Sequence, residues 1–157
     1  MQKLGEATMK STKSRLLEEA KEIRTPRARR MFMTINKTDF WKGMKKLVES
    51  EGFKHLSAIT GVDVGSKIEV IYHLTSEGLV LSLKVEISKR NPVLPSIVKL
   101  ISGAVLYERE VHDLFGVRFE GNLDLSPLLL PDGWPSNVHP LRKEWTLQKI
   151  QESLGES

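Results

Sequence analysis

Residues 79–87 read LVLSLKVEI, and this stretch decides the fold class. Leucine, valine or isoleucine stands at every odd position, while the even positions carry Val, Ser, Lys and Glu. A period of two residues predicts a β-strand with one buried face and one largely solvated face. Such a strand favours an antiparallel meander that helices cover on one side.

Weaker patterns on both sides of this strand extend the sheet. Residues 31–35, 55–62 and 67–74 are predicted strands, and a turn at residues 76–78 joins the last of them to residue 79. A helix is predicted from a cap at Thr38 or Asp39 to about Ser50, since Phe40, Met44, Leu47 and Val48 form one stripe. The sequence therefore predicts an α+β fold, with helices packed on one face of a small mixed, mainly antiparallel sheet.

A second helix is predicted over residues 96–115, with a break allowed at residues 102–103. Gly116 occupies the position of a helix-terminating glycine, and residues 117–119 are predicted to be extended. Residues 120–145 contain four prolines, which exclude a long helix or a central strand there. We divide the chain into a basic N-terminal arm (1–30), an α+β domain (31–119) and a long, extended, Pro-rich partner-binding tail (120–157).

The positive charge of the chain is concentrated in the arm. Residues 1–30 hold nine Lys or Arg and four Glu, whereas the remaining residues hold 15 basic and 16 acidic side chains. Residues 14–23 predict a short helix that Thr25 and Pro26 end. The arm is either a solvated terminus or a contact for nucleic acid, anionic lipid or an acidic partner. A domain body of net charge −1 argues against nucleic acid.

Two absences in the composition limit the function. The chain has no cysteine, so its own thiolates hold no iron–sulfur cluster and no zinc. The longest apolar stretch, residues 97–107, is interrupted by Lys99 and is far shorter than the roughly 20 apolar residues that span a bilayer. Any association with a membrane is then expected through partners or surface charge.

Residues 107–119, YEREVHDLFGVRF, carry an unusual density of charge for a helix with so many apolar residues. Three interpretations stay open: solvated charges on an amphipathic helix, an acid or base at Glu108 or Asp113 beside His112, and a partner surface. Arg109 precedes Asp113 by four residues, which is the less favourable order for helix stability. That order favours the partner surface.

The same segment opens a longer pattern of fixed spacings. Glu108-Arg109-Glu110, Asp113, Phe115-Gly116-Val117, Phe119, Gly121 and Asp124 are followed by residues 129–134, LLPDGW, and residues 139–143, HPLRK. This pattern resembles the signature of the NADH dehydrogenase 30-kDa subunit family, the C-type subunits of complex I. The short C-terminus is similar to the form found in membrane-bound [NiFe]-hydrogenase and related archaeal complexes. Leu100 and Asn122 depart from the usual aromatic and His of the family.

The resemblance implies an accessory, scaffold subunit in the hydrophilic arm of an ion-translocating, complex-I-like membrane oxidoreductase. Such a chain is itself non-catalytic and cofactor-free, and it docks the large subunit beside neighbouring iron–sulfur subunits. The [NiFe] centre and the iron–sulfur clusters belong to those partners, and this chain is expected as a peripheral subunit on the cytoplasmic side of the cell membrane. The expected complex is a membrane-bound hydrogenase or a related sulfur-reducing complex; the alternative is a true NADH, F420H2 or ferredoxin:quinone oxidoreductase.

The resemblance also assigns residues. It implies that ten side chains within the pattern serve a partner interface or lock the tail, and that none is a catalytic, cofactor-binding or metal-binding residue. The predicted interface residues are Glu108, Arg109, Asp113, Phe115, Phe119, Asp124, Trp134, His139, Arg142 and Lys143.

Overall fold

The computed structural model describes residues 20–155, which form seven strands and three helices. In chain order these are β1 (Ala20–Arg27), β2 (Arg30–Ile35), α1 (Phe40–Glu49), β3 (His55–Asp63), β4 (Lys67–Ser76), β5 (Leu79–Ser88), β6 (Val93–Pro95), α2 (Ala104–Phe115), β7 (Arg118–Glu120) and α3 (Leu147–Leu154).

Five strands form one mixed sheet in the order β1-β2-β5-β4-β3. Neighbours are antiparallel except β2 and β5, which run parallel in a continuous register from Arg30–Val80 to Ile35–Val85. Strands β6 and β7 form a separate parallel pair. The predicted α+β class with a mixed, mainly antiparallel sheet is confirmed.

The core lies between one face of the sheet and the helices. The inward residues of β4 and β5 follow the two-residue period, and α1 adds the stripe that its sequence predicts. Full burial of each such aliphatic or aromatic side chain contributes about 1.5–3 kcal/mol. The fully buried members include Phe40, Met44, Leu47, Ile68, Val70, Tyr72, Leu74, Leu81, Leu83 and Val85.

The helix predicted over residues 14–23 is wrong in its described part. Residues 14–19 lie outside the described residues, and Ala20–Arg27 is an edge strand that pairs with β2. Ala20 and Ile23 pack against the core, and Ile23 lies opposite Met33. Pro26 is compatible with this assignment because proline lacks a backbone N–H group, and an edge strand needs no such donor on its solvent side. Within residues 20–155 the sheet therefore includes Ala20–Arg27, and the boundary predicted at residue 31 falls inside the β1–β2 hairpin.

The helix predicted over residues 96–115 starts only at Ala104. Residues 93–95 are a strand, and Ile97 O accepts hydrogen bonds from the amides of Leu100 and Ile101 in a turn. The backbone amide of Ile97 and the hydroxyl of Ser96 are both bonded to Glu108, which holds this segment across the helix. The helix ends as predicted, with Gly116 left-handed at φ 67°.

Residues 121–146 contain neither helix nor strand. Helix α3, which the sequence patterns do not predict, follows them; the Thr146 hydroxyl accepts a hydrogen bond from the Lys149 amide at its N-terminus. Within residues 20–155, no helix is long and apolar enough to cross a membrane.

Candidate functional site

Helix α2 lies directly on β3, and a glycine allows the close approach. A Cβ atom on Gly61 would come within 2.4 Å of the Phe115 ring. Phe115 is buried in this contact. The sheet therefore fixes the position of the helix that carries the signature charges.

Glu108 is the most buried of these charges, with no exposed surface. Its Oε1 accepts a hydrogen bond from the Ile97 amide (2.8 Å), and its Oε2 accepts from Ser96 Oγ (2.8 Å) and Asn122 Nδ2 (2.9 Å). Burial raises the pKa of the Glu108 carboxyl, although the three donors act in the opposite direction. One side chain thus joins the segment before α2 to the segment after β7.

Arg109 binds the carbonyl groups of the tail. Its Nε and Nη2 donate to the carbonyl oxygens of Ser126 (2.9 Å) and Pro127 (2.8 Å). Nη1 lies 3.5 Å from Asp124 Oδ2. The planar guanidinium is suited to such parallel bonds.

Asp113, one helical turn later on the same face, binds the amide groups that follow. Its Oδ2 accepts from the backbone amides of Leu128 (2.8 Å), Leu129 (2.9 Å) and Leu130 (3.4 Å). Successive amides that converge on one oxygen form an anion-binding concavity. Arg109 and Asp113 together therefore hold residues 126–130 by the backbone alone, and we call this pair of side chains the tail clamp.

The residues HPLR at 139–142 cap the C-terminal end of α2. The last carbonyls of a helix have no partner inside the helix. Here the tail supplies donors to three of them. The pairs are His139 Nδ1 to Asp113 O (3.0 Å), Leu141 N to Leu114 O (3.1 Å) and Arg142 Nε to Phe115 O (2.7 Å).

A buried carboxylate fixes the far end of the tail to the sheet. Asp63, at the end of β3, accepts from Lys89 Nζ (2.5 Å) and from the backbone amide of Lys143 (2.8 Å). Lys89 also pairs with Glu144. Burial raises the pKa of Asp63, but the bonds from Lys89, Lys143 and Gly65 outweigh it and lower the pKa to about 2.

Three leucine side chains in and just before the held segment are exposed. Leu123 is fully exposed, Leu129 is 56% exposed and Leu128 is 38% exposed. We call these three leucines the tail surface. Trp134 turns inward instead: its Nε1 donates to Val138 O (2.8 Å), and its ring lines a cavity of about 220 Å³ between α2 and the tail.

The ten predicted interface residues thus fall into two groups. Four are buried inside this chain, namely Glu108, Asp113, Phe115 and Phe119. The others are half-buried or exposed, namely Arg109, Asp124, Trp134, His139, Arg142 and Lys143. Within this group, the carboxylates of Glu108 and Asp113 bond to the tail, whereas Phe115 and Phe119 belong to the hydrophobic core.

Sequence reasoning missed four residues of this arrangement. Ser96, Asn122, Asp63 and Lys89 each bind a signature residue or the tail. Asp63 and Lys143 are 80 residues apart, so no local pattern connects them. The family resemblance drew attention to Asn122, where the usual residue is His, but it did not indicate the bond to Glu108.

The polar groups that suggested catalysis are engaged by the backbone. His112 Nδ1 lies 2.9 Å from Val117 O, and the carboxylates of Glu108 and Asp113 each hold amide donors. Across residues 20–155, no three His, Asp or Glu side chains converge as metal ligands. The arrangement orders a peptide segment.

The sequence matches the family described as respiratory-chain NADH dehydrogenase, 30 Kd subunit, over residues 33–151. These residues include α2, the tail clamp and the capping HPLR segment. The chain belongs to this family, whose members are subunits of complex-I-like oxidoreductases.

Individual relatives agree with this assignment. The C-type subunit of the NADH-quinone oxidoreductase of Moorella thermoacetica is 40% identical over 109 residues, covering 67% of this chain and 72% of that protein. The corresponding protein of Chloroherpeton thalassium is 30% identical over 130 residues, which are 78% of this chain and 53% of the relative. The C-type subunit of the F(420)H(2) dehydrogenase of Methanosarcina mazei is 36% identical over 106 residues, covering 65% and 63% of the two chains. This chain thus spans about half to three quarters of the length of these relatives.

Solved structures give the same fold. A chain of the membrane-bound sulfane sulfur reductase, an archaeal respiratory membrane complex, superposes with a TM-score of 0.76 at 28% identity, covering 94% of this chain and 91% of that one. The trypsin-resistant fragment of Nqo5 superposes with a TM-score of 0.66 at 24% identity, covering 75% and 99%. The second similarity shows the fold alone.

Proposed function

We propose that this chain is a scaffold subunit in the hydrophilic arm of an ion-translocating membrane oxidoreductase, and that the tail surface docks the large subunit of the complex. The observation that carries the proposal is the tail clamp. Buried or half-buried charges hold residues 126–130 by the backbone, while Leu128 and Leu129 stay uncovered. A segment fixed before binding loses less conformational entropy on docking, so more of its contact energy becomes affinity.

The redox chemistry is assigned to partner subunits in this proposal. Without cysteine, this chain offers no thiolate to an iron–sulfur cluster or to a [NiFe] centre. This chain contributes by positioning other subunits. It presents an apolar surface to the large subunit and holds neighbouring subunits in place on the cytoplasmic side.

Structural similarity favours a complex of the membrane-bound hydrogenase or sulfur-reducing type. The sulfane sulfur reductase chain superposes on this chain with a TM-score of 0.76 at 28% identity.

A second candidate is a subunit of a true NADH or F420H2 oxidoreductase. The observation that favours it is sequence identity, which reaches 40% with the Moorella protein and 36% with the Methanosarcina protein. Isolation of the intact complex tests the two candidates. Nickel in its large subunit would indicate a hydrogenase, and in a complex without nickel the electron acceptor, sulfur or quinone, decides between them.

Co-expression with the large subunit tests the docking site. Arg109→Ala and Asp113→Ala release the tail, and Leu129→Asp places a charge on the tail surface without touching the clamp. We expect all three variants to remain folded and to lose co-purification with the large subunit at least tenfold.

Two controls make the result interpretable. Glu110→Ala removes an acidic side chain from the same helix, and Phe32→Ser changes an apolar residue on the opposite face of the sheet; both should co-purify as the unchanged chain does. Normal assembly of Arg109→Ala, Asp113→Ala and Leu129→Asp would show that the large subunit docks elsewhere.

A further inference from the structure

In the described residues 20–155, the outer face of the five-stranded sheet is left open around a groove. Helices α1 and α2 pack on its inner face, and a groove on the outer face is lined by strand residues only. The groove has a volume of about 360 Å³. Its lining includes Arg24, Pro26, Phe32, Thr34, Ile71 and Lys84.

Cross-strand pairing sets the order of side chains along this face. Arg24, Phe32, Ser82 and His73 form one row across four strands. In a neighbouring row, Thr34 lies opposite Lys84, and Lys84 lies opposite Ile71. The two rows place apolar side chains at the floor of the groove and basic side chains beside them.

Phe32 is the clearest sign of a missing contact. It is 46% exposed, although Met31 and Met33 on either side of it are buried. A strand that alternates between core and solvent would carry a polar residue at this position. An aromatic side chain in a groove is the type of residue that dominates protein interfaces.

The surplus charge at this face is positive. Arg24 is paired with Glu22 (2.6 Å) and Lys84 with Glu69 (2.8 Å). Arg27 and Arg30 lie opposite each other in the next row, are exposed, and form no salt bridge within residues 20–155. The end of the groove near the β1–β2 turn therefore attracts carboxylates.

We propose that this outer-face groove is a second docking site, for an acidic segment of another protein subunit with an apolar side chain that covers Phe32. A chain segment can enter a concave groove walled by β1, whereas a planar membrane surface cannot reach its floor. A single-stranded nucleic acid is disfavoured because a single aromatic residue offers no series of stacking platforms. The acidic protein segment is the occupant that fits both the floor and the rim.

This site is distinct from the tail surface. The tail bonds to α2 and to the end of β3, and no tail residue lines the outer-face groove. The inference rests on one part of the proposed function, namely that the chain works inside a multi-subunit complex. Two separate docking surfaces would let one small chain join two partners.

The test uses the full chain inside the purified complex, with Phe32 replaced by the photocrosslinker p-benzoylphenylalanine. Since Phe32 points outward, the replacement leaves the core packing intact. We expect a crosslink to an acidic segment of a protein subunit other than the large subunit. Adding Arg27→Glu and Arg30→Glu should reduce its yield at least fivefold, whereas Lys37→Glu, a charge reversal at an exposed residue after β2, should leave the yield unchanged.

Other outcomes would overturn the proposal. These are a crosslink to lipid, to nucleic acid, to a second copy of this chain or to residues 1–19 of the same chain, no crosslink at all, or a yield that charge reversal does not change. The large subunit is quantified in the same samples. If the crosslink is absent but the large subunit is still bound, the outer-face site is wrong and the tail surface is unaffected. If the charge-reversal variant also loses the large subunit, the two surfaces are not independent.

Discussion

The meander β3–β5 and the tail 121–146 both need their backbone groups satisfied, and they achieve this in different ways. In the meander, strands bond to strands in ladders that run from Lys67–Ser88 to Ser76–Leu79. In the tail, α2 side chains bind backbone amides and carbonyls, and tail groups cap α2 in return. The ladder spreads the stabilisation over many residues, whereas the tail depends on a few. Single side-chain changes should therefore release the tail while the meander stays folded.

The largest effect is expected where the two regions meet. Gly61→Val places side-chain atoms into the Phe115 ring, which a Cβ alone would approach to 2.4 Å. Because the contact is so close, the cost should reach or exceed the upper end of the roughly 1–3 kcal/mol typical of overpacking, and both regions should be destabilised together. Urea denaturation measures the loss. Gly103→Ala is the matched control, because a Cβ there meets nothing within 4 Å, and its stability should stay within about 0.5 kcal/mol of the unchanged chain.

A smaller and more local effect is expected at the cap of α2. Arg142→Ala removes the donor to Phe115 O, and loss of a charged hydrogen bond costs about 1.5–3 kcal/mol. The tail should become sensitive to limited proteolysis, with the cuts within residues 121–146 and none in β4 or β5. Arg118→Ala, which removes an exposed pair with Glu120, should leave the digestion pattern unchanged. Equal cutting in the meander would contradict the difference between the regions.

The pH dependence should also separate the regions. Burial lowers the pKa of His139 below 6.5, with Arg142 and His112 acting in the same direction and Asp113 in the opposite one. Because the unfolded chain protonates His139 more readily, its contribution to stability is lost as the pH falls below about 6.5. Asp63 stays ionised in this range since its pKa is about 2.

The measurement is the urea midpoint between pH 7.5 and 5.5 for the unchanged chain and His139→Gln. The raised pKa of Glu108 has the opposite sign, because its contribution is present below pH 4.5 and lost as the pH rises through the folded pKa. Subtracting the two curves removes that contribution. The unchanged chain should lose more stability on acidification than the variant, and parallel curves would assign His139 no part in the pH dependence.

The smallest effect is expected on the outer face of the sheet. Lys84→Ala removes an ion pair with Glu69 but leaves the backbone hydrogen bonds between the strands intact. Such pairs contribute about 0–1 kcal/mol, so thermal denaturation should shift little. A loss comparable to that of Arg142→Ala would mean that side chains, not ladders, hold the meander.

The sequence predicts the meander well because its signal is local. Strands β3, β4 and β5 fall within two residues of their predicted ends, since a period of two residues is visible in the sequence itself. Helix α1 follows for the same reason. Strand β1 was missed because Leu16, Leu17, Ala20 and Ile23 also fit a helical stripe, and only pairing with β2 decides between the two.

The tail could be predicted only in part. Prolines excluded regular structure, and the family resemblance marked Arg109 and Asp113 as important. The sequence does not reveal what these side chains bind, because the amides that bond to Asp113 lie 15 to 17 residues away. The segment 96–103 was assigned to a helix for a similar reason: the bonds from Ser96 and Ile97 to Glu108 depend on the folded arrangement.

Hydrogen exchange at the amides of Leu128, Leu129 and Leu130 tests the central claim most directly. In Asp113→Ala these three amides lose their acceptor, and we expect their exchange to accelerate at least tenfold while the amides of β4 and β5 keep their protection. Glu110→Ala should leave both sets unchanged. Unaltered protection of residues 128–130 in Asp113→Ala would contradict the claim that α2 side chains hold the tail.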